Sequence, residues 1–411
     1  MTETTSGQLP YIYADNAATT PLSKRALDEM MPYLTTNFGN PGGIHRVAKE
    51  AACALSEARA RMARQLGSAA EEIYFTSGGS ESDMWAIQGA TLRYRDRYGT
   101  EAPAYLITSS IEHHAVLHAC RAMERFGLRT TILPVDRQGH VHPDDLRIAL
   151  EAARAEARRA GCEAPGCALV SIMLANNEIG TVEDIPELAR IAHEYSVPFH
   201  TDAVQAVGHI PVDVRELGID ALSLSAHKFH GPRGVGALYL KDGFSIPALI
   251  EGGGQERGER SGTENLAGIV GMAAALEECR DGLGERMGRI SSLRDRLVSK
   301  LQDTVPDIYC TGDPVRRLPS IASFAIHDVD GELLVVLLDR SGVAAATGSA
   351  CSTGSTEPSH VISAIGITDR RWSHGSLRLS LADDIRDEDI DMLCERVTRC
   401  IERARRISGT M

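Results

Sequence analysis

The chain has 411 residues, 43% hydrophobic and 24% charged with 38 glycines, and these proportions of a soluble globular protein exclude wholesale disorder and collagen-like repeats. Its 56 acidic residues against 43 basic ones give a formal charge of −13, a mean field that repels phosphate and speaks against general nucleic-acid or anionic-membrane binding. The 9 cysteines are odd in number and contain no Cys-x-x-Cys pair, so neither a disulfide framework nor a zinc ribbon is suggested.

In chain order, residues 1–10 (MTETTSGQLP) show neither the basic nor the apolar region of a signal peptide. Residues 8–15 read as a strand entering a turn, and 48–66 as an amphipathic helix ending at Gly67. Short β-rich runs follow at 73–76, 104–108, 168–174, 197–201 and 220–224. Between them lie helical patterns, among them 186–194 and a charged, Ala-rich solvated face at 152–159. One long helical pattern runs from 269 to about 303, as a bridge into a second unit. That unit carries a strand at 321–326, an apolar helix at 331–338 and a final amphipathic helix at 387–405. The longest strongly apolar run, 333–338, is too short to span a bilayer, so a reduced, cytoplasmic protein without membrane contact is expected. Alternating strands and helices predict a mostly parallel sheet covered on both faces, with ligands at the carboxyl ends of the strands.

Five segments could carry chemistry, the first three of them directly after predicted strands. Lys228, in Ser225-Ala-His-Lys228, precedes a glycine-rich stretch and is placed to form an imine; a surface lysine in a turn is the plainer alternative. Asp202 ends a strand 26 residues earlier and could pair with a pyridine nitrogen or simply cap a helix. In Ser77-Gly-Gly-Ser80 the glycines and hydroxyls open a helix and could cradle a phosphate, as could any Gly/Ser turn. His114 and His118 lie one helical turn apart, a spacing that suits a metal, but no further ligand cluster completes a site and no metal is expected; a single imidazole stacked on a cofactor ring is the better functional use. Cys351 sits in Gly348-Ser-Ala-Cys351, a run of small residues without packing mass. The other 8 cysteines occupy apolar or helical contexts where core thiols are expected, so Cys351 stands out as the reactive one.

Together with Asn176-Asn177-Glu-Ile-Gly180, His200-Thr-Asp-Ala-Val-Gln205 and Arg260-Ser-Gly-Thr263, these motifs resemble the cysteine desulfurases of the long-loop group, within the class-V aminotransferase-like, pyridoxal-phosphate-dependent fold-type-I superfamily. The resemblance implies an α/β transferase fold with a mostly parallel seven-stranded sheet in a large domain (16–268). A smaller α+β domain (1–15 and 269–411) would carry the Cys351 loop at about 345–358. It implies that Lys228 bonds to pyridoxal 5'-phosphate and moves the Cα proton. Asp202 would pair with the ring nitrogen, Gln205 face the phenolic oxygen, and His113 stack on the ring as an acid or base. Gly79, Ser80, Ser225 and His227 would hold the phosphate, with Thr263 reaching the site of a partner subunit in a homodimer. Asn16, Asn177 and Arg378 would bind the L-cysteine substrate, Arg378 as a bidentate carboxylate donor.

Cys351 would take the sulfur as a persulfide, leave L-alanine and pass the sulfur to an acceptor protein. Iron–sulfur assembly, tRNA thiolation, DNA phosphorothioation and cofactor biosynthesis all draw on enzymes of this type, and the sequence does not choose among them. A selenocysteine lyase or another class-V activity is the alternative. The chain departs from the family pattern at Asn40-Pro-Gly-Gly43, at Gly79-Ser80, where the hydroxyl is kept, and at Ser380-Leu-Ala-Asp-Asp384.

Overall fold

The computed structural model describes residues 10–348 and 358–408. Seven strands form the central sheet in the spatial order Ile73–Thr76, Gly236–Leu240, Ala221–Ser225, Phe199–Asp202, Cys167–Ser171, Tyr105–Ser109, Arg129–Leu133. Only Gly236–Leu240 runs against its neighbours. The central parallel strands are buried at every position, because helices cover both faces. The large apolar core of this unit includes Phe199, Phe229, Tyr239 and Leu222, each at most 1% exposed.

A second core, built on Leu297, Phe324, Leu334, Leu379 and Ile401, lies under a three-stranded antiparallel sheet. Its middle strand, Ile321–Ile326, pairs with Ser376–Ser380 and Ile308–Cys310. Ile12 and Ala14 belong to this core, and Ile12–Tyr13 pairs in parallel with Val343–Ala344.

The strand expected over 8–15 is thus confined to Ile12–Tyr13 within the described residues. The helix expected to run unbroken from 269 to 303 is two helices, Leu266–Arg280 and Leu283–Thr304. Gly282 separates them at φ +64°, a left-handed conformation that an L side chain pays to adopt. The first of the pair is apolar all round and buried, the second amphipathic. Helix Arg46–Leu66 ends as expected at Gly67, φ +69°, where an added Cβ would fall 2.2 Å from Asp213 Oδ2. Among the described cysteines all 8 are free thiols, and Cys53 corrects the expectation of uniform core packing: it faces solvent from that same helix. No helix among the described residues is long and apolar enough to cross a membrane.

Candidate active site

The carboxyl ends of the parallel strands open onto a cavity of about 240 Å³ lined by Ala17, Ala18, Gly79, Ser80, Asp83, His113, Met173, Ala175, Asn177, Asp202, Val204, Gln205, Ser225, His227, Lys228 and Arg378. Asp202 is the last residue of Phe199–Asp202, and Ser225 the last of the adjoining parallel strand. Lys228 follows at once in a single tight turn, so one pair of neighbouring strands delivers the acid and the amine to one place. Lys228 Nζ donates to the carbonyls of Ala17 (2.6 Å) and Ala18 (2.8 Å), which anchor its stem across the floor. The Gln205 amide donates to that same Ala17 carbonyl at 2.8 Å.

Burial raises the Asp202 carboxyl above its ordinary range, while the Val204 N–H on its Oδ1 (2.9 Å) and the charge of Lys228 pull the other way. His113 caps helix His114–Met123, its Nδ1 accepting from Ala115 N–H at 3.1 Å. Burial, with the Lys228 charge second, lowers this imidazole to about 4, so it is neutral at pH 7 and carries its hydrogen on Nε2. His227 is lowered likewise to about 4, by burial first and Lys228 second, and its Nδ1 lies 3.1 Å from the Thr19 hydroxyl.

Helix Gly79–Tyr98 begins on the cavity wall at Gly78, which supplies no side-chain cap. Its first amides and the exposed Ser80 hydroxyl are therefore open to an anion without a competitor from that residue. Gly79 is required by packing, since a Cβ there would come within 2.6 Å of Val204 Cγ2. Arg378, 2% exposed, donates from Nη1 to the Asn177 carbonyl and from Nη2 to Asp15 Oδ1, both at 2.8 Å. Its Nε–H has no partner, so a buried guanidinium on the cavity wall keeps donor capacity for a carboxylate.

Pyridoxal phosphate fits this donor set: a buried carboxyl, a lysine one strand away, and uncapped helix amides beside Ser225 and His227. Asn16 is not among the lining residues; its Nδ2 donates to the Tyr13 and Ser380 carbonyls, on strands beside the second core. Thr263 is exposed and also outside the cavity, in a loop held by the ion pair of Arg260 with Glu81 (2.8 Å). Cys351 lies outside the described residues, which resume at Pro358; the next residue, Ser359, donates its hydroxyl to Glu178, the neighbour of cavity-lining Asn177, at 2.5 Å. His114 and His118 stack at 5.1 Å, but among the described residues no group of three or more potential ligands is placed to hold a metal. The sequence reading missed Asp83 in the cavity wall; its signal was a position one helical turn beyond Gly79.

Residues 12–393 match the aminotransferase class-V family, nearly the whole chain. The chain belongs to that family. It is 46% identical to a protein of Dictyoglomus turgidum named cysteine desulfurase IscS, over 97% of this chain and 96% of that one. A Methanosarcina thermophila protein of the same name is 45% identical over 99% and 96%. Among solved structures, a NifS-like protein superposes with a TM-score of 0.85 at 34% identity, covering 95% of this chain and 99% of that one. A structure titled "SspA in complex with cysteine" superposes with a TM-score of 0.76 at 32% identity, covering 90% and 98%. The fold is that of the pyridoxal-phosphate-dependent fold-type-I enzymes.

Proposed function

We propose that the protein is a pyridoxal-phosphate-dependent cysteine desulfurase that converts L-cysteine to L-alanine and leaves a persulfide on Cys351. The observation that carries this reading is the cavity itself, which brings Lys228, Asp202, His113, Gln205 and Arg378 together from separated motifs. When bound, the cofactor supplies an aldehyde for the substrate amine and an electron sink for the Cα carbanion. Asp202 and Gln205 hold its ring, and Gly79, Ser80, Ser225 and His227 its phosphate. Arg378 and Asn177 orient the substrate carboxylate, and Arg378 is preset for that by its bonds to Asn177 O and Asp15. Lys228 holds and returns the Cα proton at Nζ, and His113 offers a neutral imidazole to the same space. The Cys351 thiolate attacks the substrate sulfur; the Cβ–S bond breaks, the carbon product takes a proton, and the sulfur remains on Cys351 as the terminal atom of the persulfide.

The same reading assigns residues 16–268 to a cofactor domain, and 1–15 with 269–411 to a smaller one carrying Cys351. It makes the enzyme a cytoplasmic homodimer, supported by the exposed position of Thr263 next to the Arg260–Glu81 pair, from which it is offered to a second subunit. The acceptor is a protein, in keeping with the net charge of −13. The test is Cys351→Ser: cofactor absorption is retained and sulfide release from L-cysteine with a thiol reductant falls at least a hundredfold. Release at the wild-type rate would overturn the assignment.

A further inference from the structure

Beside Asp202 lie buried ionisable groups, Asp83, His200 and Glu112, that the reaction above does not use. Asp83, 1% exposed, lines the same cavity as Asp202, and its Oδ1 has no hydrogen-bond partner. His200 Nε2 stands 3.8 Å from that oxygen and 2.9 Å from the Ser223 hydroxyl, while His200 Nδ1 meets the Ser171 hydroxyl at 2.8 Å. A third carboxyl, Glu112, is fully buried nearby, bound through Oε1 to Ser109 Oγ (2.6 Å) and Met173 N–H (2.9 Å).

These groups come from every element packed here: Asp83 from helix Gly79–Tyr98, His200 and Asp202 from Phe199–Asp202, Ser223 from Ala221–Ser225, Glu112 from the segment before helix His114–Met123, and Lys228 from the turn after Ser225. His200, enclosed between two hydroxyls and lowered by burial to about 3, is neutral and balances no charge. Lys228 is the cation that acts on Asp202. Asp83 and Asp202 are 1% and 5% exposed on one cavity wall, and two carboxyls buried together resist ionising at the same time. Asp202 has the Val204 N–H and Lys228 to stabilise a charge; Asp83 has a neutral serine hydroxyl and two carboxyls beside it, and burial with the Asp202 charge raises it well above the ordinary carboxylate range.

We propose that Asp83 and Asp202 hold one proton between them, carried by Asp83, and that neutral Asp83 is a positioning residue that fixes the single negative charge of the pair on Asp202. The proposal rests on the reading of this cavity as the cofactor site. Asp83 touches no reacting atom; it acts through the charge it leaves on Asp202.

The test uses the holoenzyme and infrared spectroscopy at about pH 7.5, with and without carboxyl-¹³C aspartate. A protonated-carboxyl C=O band that moves on aspartate labelling is expected; labelling leaves the Glu112 band in place, so no variant is needed to establish a buried neutral aspartate. Absence of such a band overturns the proposal. The band should vanish in Asp83→Asn; a band that remains there, carried by Asp202, also overturns the proposal. Asp83→Asn, a neutral isostere, should keep the cofactor dissociation constant within about twofold of wild type, whereas Asp83→Ala should raise it about tenfold. Equal losses in both variants would mark a merely structural residue and refute the positioning role. A wild-type protein that takes up no pyridoxal phosphate would instead fail the cofactor-site reading, an outcome separate from these.

Discussion

Glu112 offers a direct measure of how strongly the interior beneath the site disfavours charge. It is 0% exposed, accepts bonds from Ser109 and Met173 N–H through one oxygen, and leaves Oε2 without a partner. Burial raises its carboxyl from 4.5 to about 8, against the pull of those two bonds. The folded protein therefore holds a proton that the unfolded chain has released, and stability from this group falls as pH rises between those values. The slope is about 1.4 kcal/mol per pH unit, and across the interval it amounts to about 5 kcal/mol. Glu112→Gln keeps an acceptor for both donors and removes the titration. The stability difference, variant minus wild type, should increase with pH from about 5 to 8 and then level off. Urea midpoints of both proteins at five pH values, converted with a common m-value, check this. A difference that is flat from pH 5 to 9 would refute the reasoning, because it would mean that Glu112 is ionised inside the fold.

His113 should show the opposite sign. Its imidazole is lowered from 6.5 to about 4, so the unfolded chain binds a proton that the folded one refuses, and stability is lost as pH falls through that window, by up to about 3 kcal/mol. His113→Asn keeps a capping acceptor for Ala115 N–H and should flatten this acid limb in the same urea series. Arg378→Lys replaces a planar fork with a point charge that cannot serve Asn177 O, Asp15 and a substrate carboxylate at once. Its KM for L-cysteine should rise at least tenfold while cofactor absorption stays at the wild-type wavelength, as steady-state kinetics and spectra will read.

How far the sequence discloses this molecule depends on where each signal resides. Lys228, Asp202 and the Gly79-Ser80 turn were legible because each lies at or just beyond the end of a short strand-like run, and parallel sheets place ligands there. The break at Gly282 was not, because apolar residues recur at helical spacing on both sides and only the glycine between Asp281 and Leu283 marks the turn. Cys53 was misjudged for a related reason: membership of an amphipathic helix does not say which face a thiol takes, and its helix turns Ala48, Ala51 and Ala58 inward instead.

Asp83 escaped notice because its character is tertiary. An aspartate one turn into a helix ordinarily reads as a favourable charge near the positive end of the dipole. Here the fold lays the strand of His200 and Asp202 against that turn, and the same carboxyl becomes a group with more to lose from ionising than to gain. The helix start that receives an anion and the strand that presents an acid are thus not independent devices. Packing them together buries two carboxyls on one cavity wall, and the proton that relieves the conflict leaves Asp202 the single charge that a protonated pyridine nitrogen needs.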